Sequence, residues 1–588
     1  MVHVPSHLQE FVVEQSYDKY TPIDQAVWRY VMRQNRAFLE NKAHPAYVDG
    51  LKSTGIGIES IPRIEWMNEC LSKHGWGAVS IDGFLSSAAF MDFQAHGILP
   101  IAADIRTNEH IAYTPAPDIL HEAAGHAPII KNQEYAAYLR KIGSVGAKAL
   151  STKEDYVLYE AIRLLSMLKE DPEASAEQIR QAEEGLVQAQ DALTEVSEIQ
   201  MVSRLYWWTV EYGLTGDVDQ PRIYGAGLLS SVGESKRCLQ PDVAKLPFSL
   251  DACIQTGYDI TDYQPQLFVC RSFGELIQAV EELESRLACS VGATKSLEMA
   301  LQSENFTTAV YSSGLQVTGV LAGIEYDAQG EAAYLQYRGP TALAYRNVEL
   351  AGHGKDDHKE GYGSPVGRLA GEPCAIEDFS ETEVQKWNLI EGKKVALPFE
   401  SGVKVTGTVS YVQRQAGKIM LIGLFDCTVS YQGQVLFQPD WGIYDMAVGQ
   451  KIISVFAGAA DKEKFPAHTE KKSSLSTKRR QISPREAQLH ALYGQIRNLR
   501  SQQAEPDKAK AQILYVSKQL KSEFPNDWLL RLEILELLTH KDWLADERQE
   551  LLACLQQLQA IPENKELIQN GLALIVNKGR NANREVSE

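Results

Sequence analysis

Apolar positions recur at helical spacing through most of the first 215 residues. "AVWRYVMRQNRAFLENKA" (26–43) predicts a helix that His44-Pro45 ends, and "RIEWMNECLSKHG" (63–75) predicts another, stopped by Gly75. "VSIDGFLSSAAFMDFQAHGILP" leads into a short extended piece. "TPAPDILHEAAGHAP" then opens a helix, with prolines ahead of it, Asp118 as a cap and Pro128 as its limit. Residues 151–200 predict two exposed, acidic helices broken at Asp171-Pro172. "VSRLYWWTVEYGL" (202–214) predicts a helix with a dense aromatic cluster. Loops and short strands follow, and then the helix "SFGELIQAVEELESRLA" (272–288).

The pattern changes near residue 300. From about 305 to 460 short β-branched or aromatic runs alternate with glycine turns, as in "GVKVTGTVSYVQ" and "KIMLIGLFDCTVSY", and predict strands. Residues 466–486 are polar and basic, without apolar periodicity, and read as a linker. Helical patterns return to about residue 578, in paired helices with no convincing internal repeat. The expected organisation is a mainly α catalytic domain (1–295, with a helical insertion at about 151–200), a β-rich domain (296–465), the linker, and a helical module (487–588).

A length of 588 residues allows about three to five domains. The net charge of −19 argues against nucleic acid or an anionic membrane as partner, because both require clustered positive charge. The eight cysteines are scattered and form no CxxC, which excludes a thiolate zinc motif and points to reduced thiols in the cytoplasm. The N-terminus lacks a signal-peptide pattern, and no run of about 18 apolar residues is present to span a membrane.

The chemistry concentrates in "PDILHEAAGHAPII" (117–130). His121 and His126 are five positions apart, one more than the HExxH helix of a zinc protease requires. On a regular helix residues i and i+5 point about 140° apart. The pair can share one ion only if the helix is locally irregular. Ala123, Ala124 and Gly125 keep the intervening surface small, and buried imidazoles among Ile119, Leu120, Ile129 and Ile130 need a partner. A two-histidine, one-carboxylate iron centre needs an acid, and Glu211 is the best candidate: it stands inside an apolar, aromatic helix. A second pair, His353 and His358 in "HGKDDH", reads as a solvated loop rather than a metal site.

Five segments, in order, resemble the pterin-dependent aromatic amino acid hydroxylases: "IDGFLSSAAF" (81–90), "YTPAPDILHEAAGHAP" (113–128), "LYWWTVEYGL" (205–214), "RIYGAGLLSSVGE" (222–234) and "DITDYQPQLFV" (259–269). The resemblance spans about residues 20–288. It implies a mostly helical catalytic domain in which His121, His126 and Glu211 hold iron(II), while O2 and a tetrahydropterin meet at the open positions. One oxygen atom then passes to the aromatic ring and the other to the pterin. It further implies a pterin pocket of Gly83, Leu85, Ser87 and Phe90, with Glu122 as the pterin-facing carboxylate. Arg106 resembles the family's arginine for the substrate carboxylate, a task suited to a planar guanidinium. Thr114 and Ser230 resemble its helpers, and Pro117 and Trp207 the walls of the ring pocket. Tyr224 would stand behind the ligands, orienting His121 or the substrate.

Trp207 resembles the phenylalanine and tyrosine enzymes more than the tryptophan enzymes. Ile260 falls where phenylalanine enzymes carry an apolar residue and tyrosine enzymes an acid. An apolar wall accepts a phenyl ring and offers nothing to a phenol hydroxyl, so L-phenylalanine is the expected substrate. Hydroxylation of tyrosine or tryptophan is the alternative, and a metal hydrolase or a non-catalytic binding protein on the same fold are more distant ones. The chain departs from animal members in the small residues between its histidines and in the longer 151–200 segment. It is also expected to lack an N-terminal regulatory domain and the tetramerisation helix after 288. The resemblance assigns no role to residues 296–588.

Overall fold

The computed structural model describes residues 3–81, 85–111, 117–170, 174–260, 263–465, 482–501, 505–539, 541 and 543–585. The predicted linker lies outside them over 466–481.

The first helix of the core is Pro22–Leu39. Thr21 and Asp24 close a capping box at its start, with Pro22 at its first position. It stops short of Pro45 because the chain turns away to pair with a strand: Ile223 N donates to Lys42 O (2.9 Å) and His44 N to Ile223 O (2.7 Å). Helix Ile64–Leu71 runs into a 3-10 turn that ends at Gly75, where φ is +72°. Two short sheets complete this part. One pairs Gly77–Ile81 with Ile98–Ala102 in parallel; the other orders Pro221–Ile223, Leu214–Gly216, Gln266–Cys270 and Ala244–Pro247.

The acidic segment folds as Lys153–Glu170 and Ala176–Asp191, two helices that pack on each other through a small cluster around Leu165, Ala182 and Leu186. The excursion returns through Glu198, whose carboxylate accepts from Leu150 N (3.0 Å) and Ala288 N (2.6 Å). Helix Glu198–Tyr206 then leads directly into the candidate site.

Strands fill the chain from Phe306 to Ala457. One sheet runs Val348–Glu349, Ala332–Tyr345, Leu315–Tyr326, Phe306–Tyr311, Ile452–Ala457, with Gly361–Pro365 also on Ala332–Tyr345. The other is built on Lys404–Gln415 and Lys418–Tyr431, with Lys394–Pro398, Gln434–Phe437 and Tyr444–Ala447 beside them. The last strand pairs antiparallel with the first, so the chain leaves this part where it entered.

The five C-terminal helices, beginning with Pro484–Ser501, fold back onto Pro22–Leu39 and join its hydrophobic core. The Tyr30 hydroxyl donates to Leu567 O (2.6 Å), and its ring meets Trp528 edge-on. Arg29, almost fully buried, donates to Glu533 (2.7 Å) and to both oxygens of Glu536 (2.6 and 3.0 Å). Arg33 and Arg500 add further ion pairs to the same two glutamates. Apolar burial on both sides and a paired cation within explain why this helix carries few solvent-facing positions.

Removing one partner of a buried ion pair leaves an uncompensated charge, at about 3–5 kcal/mol. Arg29→Ala is therefore expected to lower the denaturation midpoint and detach the C-terminal helices first, checked by chemical denaturation with hydrogen exchange. Burial tends to raise the Glu536 carboxyl, but Arg29, Arg33 and Arg500 outweigh it and hold it below its ordinary 4.5. A depressed carboxyl stabilises the fold fully above that ordinary value, and the contribution is lost as pH falls through the lowered one. Wild-type protein should lose stability in acid more steeply than Arg29→Ala.

Candidate active site

Both segments that carry the predicted ligands are π-helical: Leu120–His126 and Trp207–Glu211. A π turn closes its hydrogen bonds from i to i+5, so it is wider than an α turn and brings residues five apart to nearly one face. That irregularity lets His121 and His126 converge. His121 Nε2 lies 3.3 Å from one Glu211 oxygen, and His126 Nε2 lies 3.2 Å from the other. The three potential ligand atoms lie within 4.8 Å of one another.

The short helix Ala226–Ser230 packs against both π segments. The approach is close enough to require glycine: a Cβ on Gly125 would stand 2.6 Å from Ala226 O, and one on Gly225 would stand 2.4 Å from Glu211 O. The same helix supplies Ser230, whose hydroxyl donates to Ala226 O (2.8 Å) and lies 3.1 Å from His121 Nδ1. With its own proton committed to the carbonyl, that oxygen accepts from Nδ1–H. In the neutral ring this would leave the lone pair of His121 on Nε2, the nitrogen on the Glu211 side, available to an ion.

His126 is fully buried, and among the described residues neither of its ring nitrogens has a hydrogen-bond partner. Buried polar atoms of this kind need a partner, and a metal ion on Nε2 supplies one. The two carboxyls of the site differ. Burial would raise Glu211, yet the two imidazoles hold it well below the usual carboxylate range. Burial dominates at Glu122 and pushes its carboxyl up, and its Oε2, 3.7 Å from His126 Nε2, has no hydrogen-bond partner among the described residues. Glu211 is thus the charged acid, and Glu122 the acid more readily kept neutral.

Asp118 ties the metal-side helix to Arg106. Its two oxygens accept from Arg106 Nε (2.8 Å) and Nη2 (2.9 Å), and further from the backbone amides of Arg106 and His121 (both 2.9 Å). Both side chains are buried, and the pairing overcomes burial to keep the Asp118 carboxyl low. The guanidinium is thus fixed along one edge.

Of the residues tied by resemblance to the pterin, the Phe90 ring meets His126 (centroids 6.3 Å) and Tyr206 (6.0 Å) edge-to-face, and Glu122 lies 3.7 Å from His126 Nε2. The Leu85 side chain packs into a separate apolar cluster with Leu8, Val79 and Phe93. Ser87 is exposed in the first turn of helix Ser87–Ala95, which Ser86 caps. Gly83 and Thr114 lie outside the described residues. Pro117 is exposed at the start of the ligand segment, and Ile260 is half-buried at the end of the 256–260 stretch. Trp207 is stacked on both faces, against Tyr212 (4.6 Å) and Tyr258 (4.3 Å), so only its edge can wall a pocket. The side chain that meets His121 Nδ1 is Ser230, not Tyr224. The Tyr224 hydroxyl faces Cys270 (3.9 Å), and its ring packs on Tyr135 and Phe273.

Sequence reasoning missed three of these partners. For Asp118 the sequence signals only a helix cap. Tyr206, buried and accepting from Gln94 Nε2 (2.6 Å), stands edge-on to Phe90; its signal was its place in the aromatic run before Trp207. Tyr258 carried no signal, because its contact with Trp207 depends on the fold.

A family model for the biopterin-dependent aromatic amino acid hydroxylases matches residues 14–176 and 182–312, half of the chain. The chain belongs to this family, and within it is a phenylalanine-4-hydroxylase-like enzyme. The phenylalanine-4-hydroxylase of Mesorhizobium japonicum is 28% identical over 275 residues, covering 46% of this chain and 83% of that protein. That of Chromobacterium violaceum is 28% identical over 272 residues, covering 46% and 77%. A solved structure of the Chromobacterium violaceum enzyme with iron(III) and 7,8-dihydrobiopterin is 25% identical over 48% of this chain and 92% of that one, with a TM-score of 0.38. The break in the family match at 177–181 falls within the helix Ala176–Asp191 of the acidic excursion.

Arg106→Ala leaves Asp118 buried without its cation, and is expected to destabilise the protein by about 3–5 kcal/mol. Arg106→Lys keeps the charge but loses the two-point contact and should fall between. Thermal unfolding of the three proteins checks the order.

Proposed function

We propose that the protein is an iron(II)- and tetrahydropterin-dependent monooxygenase that converts L-phenylalanine to L-tyrosine with O2. The observation that carries the reading is the convergence of His121, His126 and Glu211, with both nitrogens of a fully buried His126 lacking hydrogen-bond partners among the described residues. Two imidazoles and one carboxylate suit iron(II) and leave positions open on one face. The family's dependence on biopterin and relatives described as phenylalanine-4-hydroxylases support the cofactor and substrate.

Iron and tetrahydropterin, when bound, supply the activation of O2, with one oxygen atom delivered to the ring and the other to the pterin. The remaining tasks belong to the chain. Ser230 holds His121 in the tautomer that offers Nε2. Glu211 brings the negative charge that partly balances a divalent ion. Glu122 and the Phe90 ring flank the ligands, where the pterin would lie. Arg106, braced by Asp118, offers its free edge to the amino acid carboxylate. The edge of Trp207 and the Ile260 side chain would wall the ring. The Ile260 side chain itself offers a phenol hydroxyl no hydrogen bond, which supports phenylalanine over tyrosine.

Purified protein supplied with iron(II), tetrahydropterin and O2 is expected to form tyrosine from L-phenylalanine, with far less product from L-tyrosine or L-tryptophan. Activity should vanish without pterin and in His121→Ala. Iron-loaded protein that hydroxylates none of the three amino acids would sink the reading. Ser230→Ala should weaken iron(II) binding by about 10–100-fold, the usual effect of removing a partner that orients a ligand, as measured by equilibrium dialysis.

A further inference from the structure

A second constellation of ligand-type side chains lies in the β-rich part, far along the chain from the first. His353 and His358 stand on the stretch that follows Val348–Glu349. Two backbone bonds fasten that stretch to one strand: Leu343 N donates to His353 O (2.8 Å), and Thr341 N donates to His358 O (3.1 Å). Asp357, the acid beside them in sequence, is spent inside the turn, where it accepts from Gly354 N (2.8 Å). The acid that meets the histidines is Asp445, on Tyr444–Ala447 of the other sheet. The cluster therefore bridges the two sheets.

His353 Nδ1 lies 3.3 Å from His358 Nε2 and 3.7 Å from Asp445 Oδ2, and the last pair is 3.8 Å apart. Three atoms so spaced share a point about 2.1 Å from each, which is the length of a zinc–nitrogen or zinc–oxygen bond. The partners behind them fit the same purpose. The Tyr411 hydroxyl donates to Asp445 Oδ1 and lies 3.4 Å from His353 Nε2. With its proton on Asp445, its oxygen is an acceptor for Nε2–H, which leaves the lone pair of His353 on Nδ1, facing the shared point. Tyr362 donates to Asp445 O (2.7 Å) and holds that strand in place. All three side chains are only 11–12% exposed.

Without an ion the cluster is poorly matched. One proton can join the two histidines, but Asp445 Oδ2 is beyond hydrogen-bond distance of both. An ion would engage all three atoms at once. We propose that His353, His358 and Asp445 bind one divalent first-row transition-metal ion between the two β-sheets, independent of the His121 centre. Two imidazoles and a carboxylate favour zinc, cobalt, iron or nickel over calcium or magnesium. Three protein ligands leave a position for water or a small ligand.

The test uses the full chain carrying His121→Ala and His126→Ala, stripped with chelator and titrated with Co(II) and with Zn(II). One equivalent should bind, with a Co(II) absorption band. Binding should weaken at least about tenfold on adding His358→Gln or, separately, Asp445→Asn. Zn(II) should raise the Tm of the His121→Ala/His126→Ala chain and not that of the His358→Gln version. Circular dichroism of the metal-free forms checks that each variant folds. If the double histidine variant does not fold, metal content is compared in the otherwise wild-type chain, where His358→Gln should reduce two ions per chain to one. Absence of uptake, or uptake unchanged by both His358→Gln and Asp445→Asn, would overturn the proposal and leave the pair as hydrogen-bonded histidines. The titration of the His121→Ala/His126→Ala chain does not depend on iron or activity at the first centre, and in the otherwise wild-type chain the readout is the loss of one ion per chain on His358→Gln.

Discussion

A carboxylate held between two imidazoles in a nearly dry interior is the constraint around which the catalytic half is arranged. Glu211 is about nine-tenths buried and His126 completely so. Ionised groups are tolerated there only when their charges face one another or a metal. Both segments meet that demand by abandoning regular helix geometry at the ligand residues themselves. A widened turn gives up well-formed backbone bonds, and such turns persist where the surroundings determine them. Here the surroundings are Ala226–Ser230, wedged against both π segments at distances that only glycine at 125 and 225 allows.

Asp118 extends that constraint outward. A single buried carboxylate receives a guanidinium, the backbone amide of the same arginine and the amide of His121 in the ligand-bearing segment. A shift of Arg106 is thus mechanically a shift of the segment that carries His121. Charge-assisted bonds of this geometry are among the stronger polar contacts a protein makes, and rigid support of this kind is what positioning a substrate against a metal requires.

Much of the site was legible in the sequence because its signals are local. The five-residue spacing of the histidines, small residues between them, and an acid inside an aromatic helix each demanded a physical explanation. The π turns supply one for the first. Long-range partners left no such trace. Ser230 rather than Tyr224 meets His121, because the register of a five-residue helix decides it. Trp207 has both faces covered by tyrosines, one of them on the 256–260 stretch. The "HGKDDH" stretch reads as solvated because its third partner is Asp445, almost ninety residues on and in another sheet. The C-terminal helices were visible by periodicity, but nothing in them names Pro22–Leu39 as the surface they cover.

That last contact changes how the chain's second half is to be understood. The C-terminal helices share a continuous core with the catalytic half, sealed by an arginine whose carboxylate partners lie some five hundred residues away. The β-rich part is fastened as well: Ala457 N donates to Lys148 O (3.0 Å), and Lys462 pairs with Asp92 (2.8 Å). Asp92 lies on Ser87–Ala95, the helix that carries Phe90. Its carboxyl, which burial would raise, is instead held far below its ordinary range by His7, His96 and Lys462. A cation from the β-rich part therefore helps fix a helix that borders the ligand cluster. The β-rich part and the C-terminal helices are thus both tied by buried contacts to the half that carries the ligand cluster.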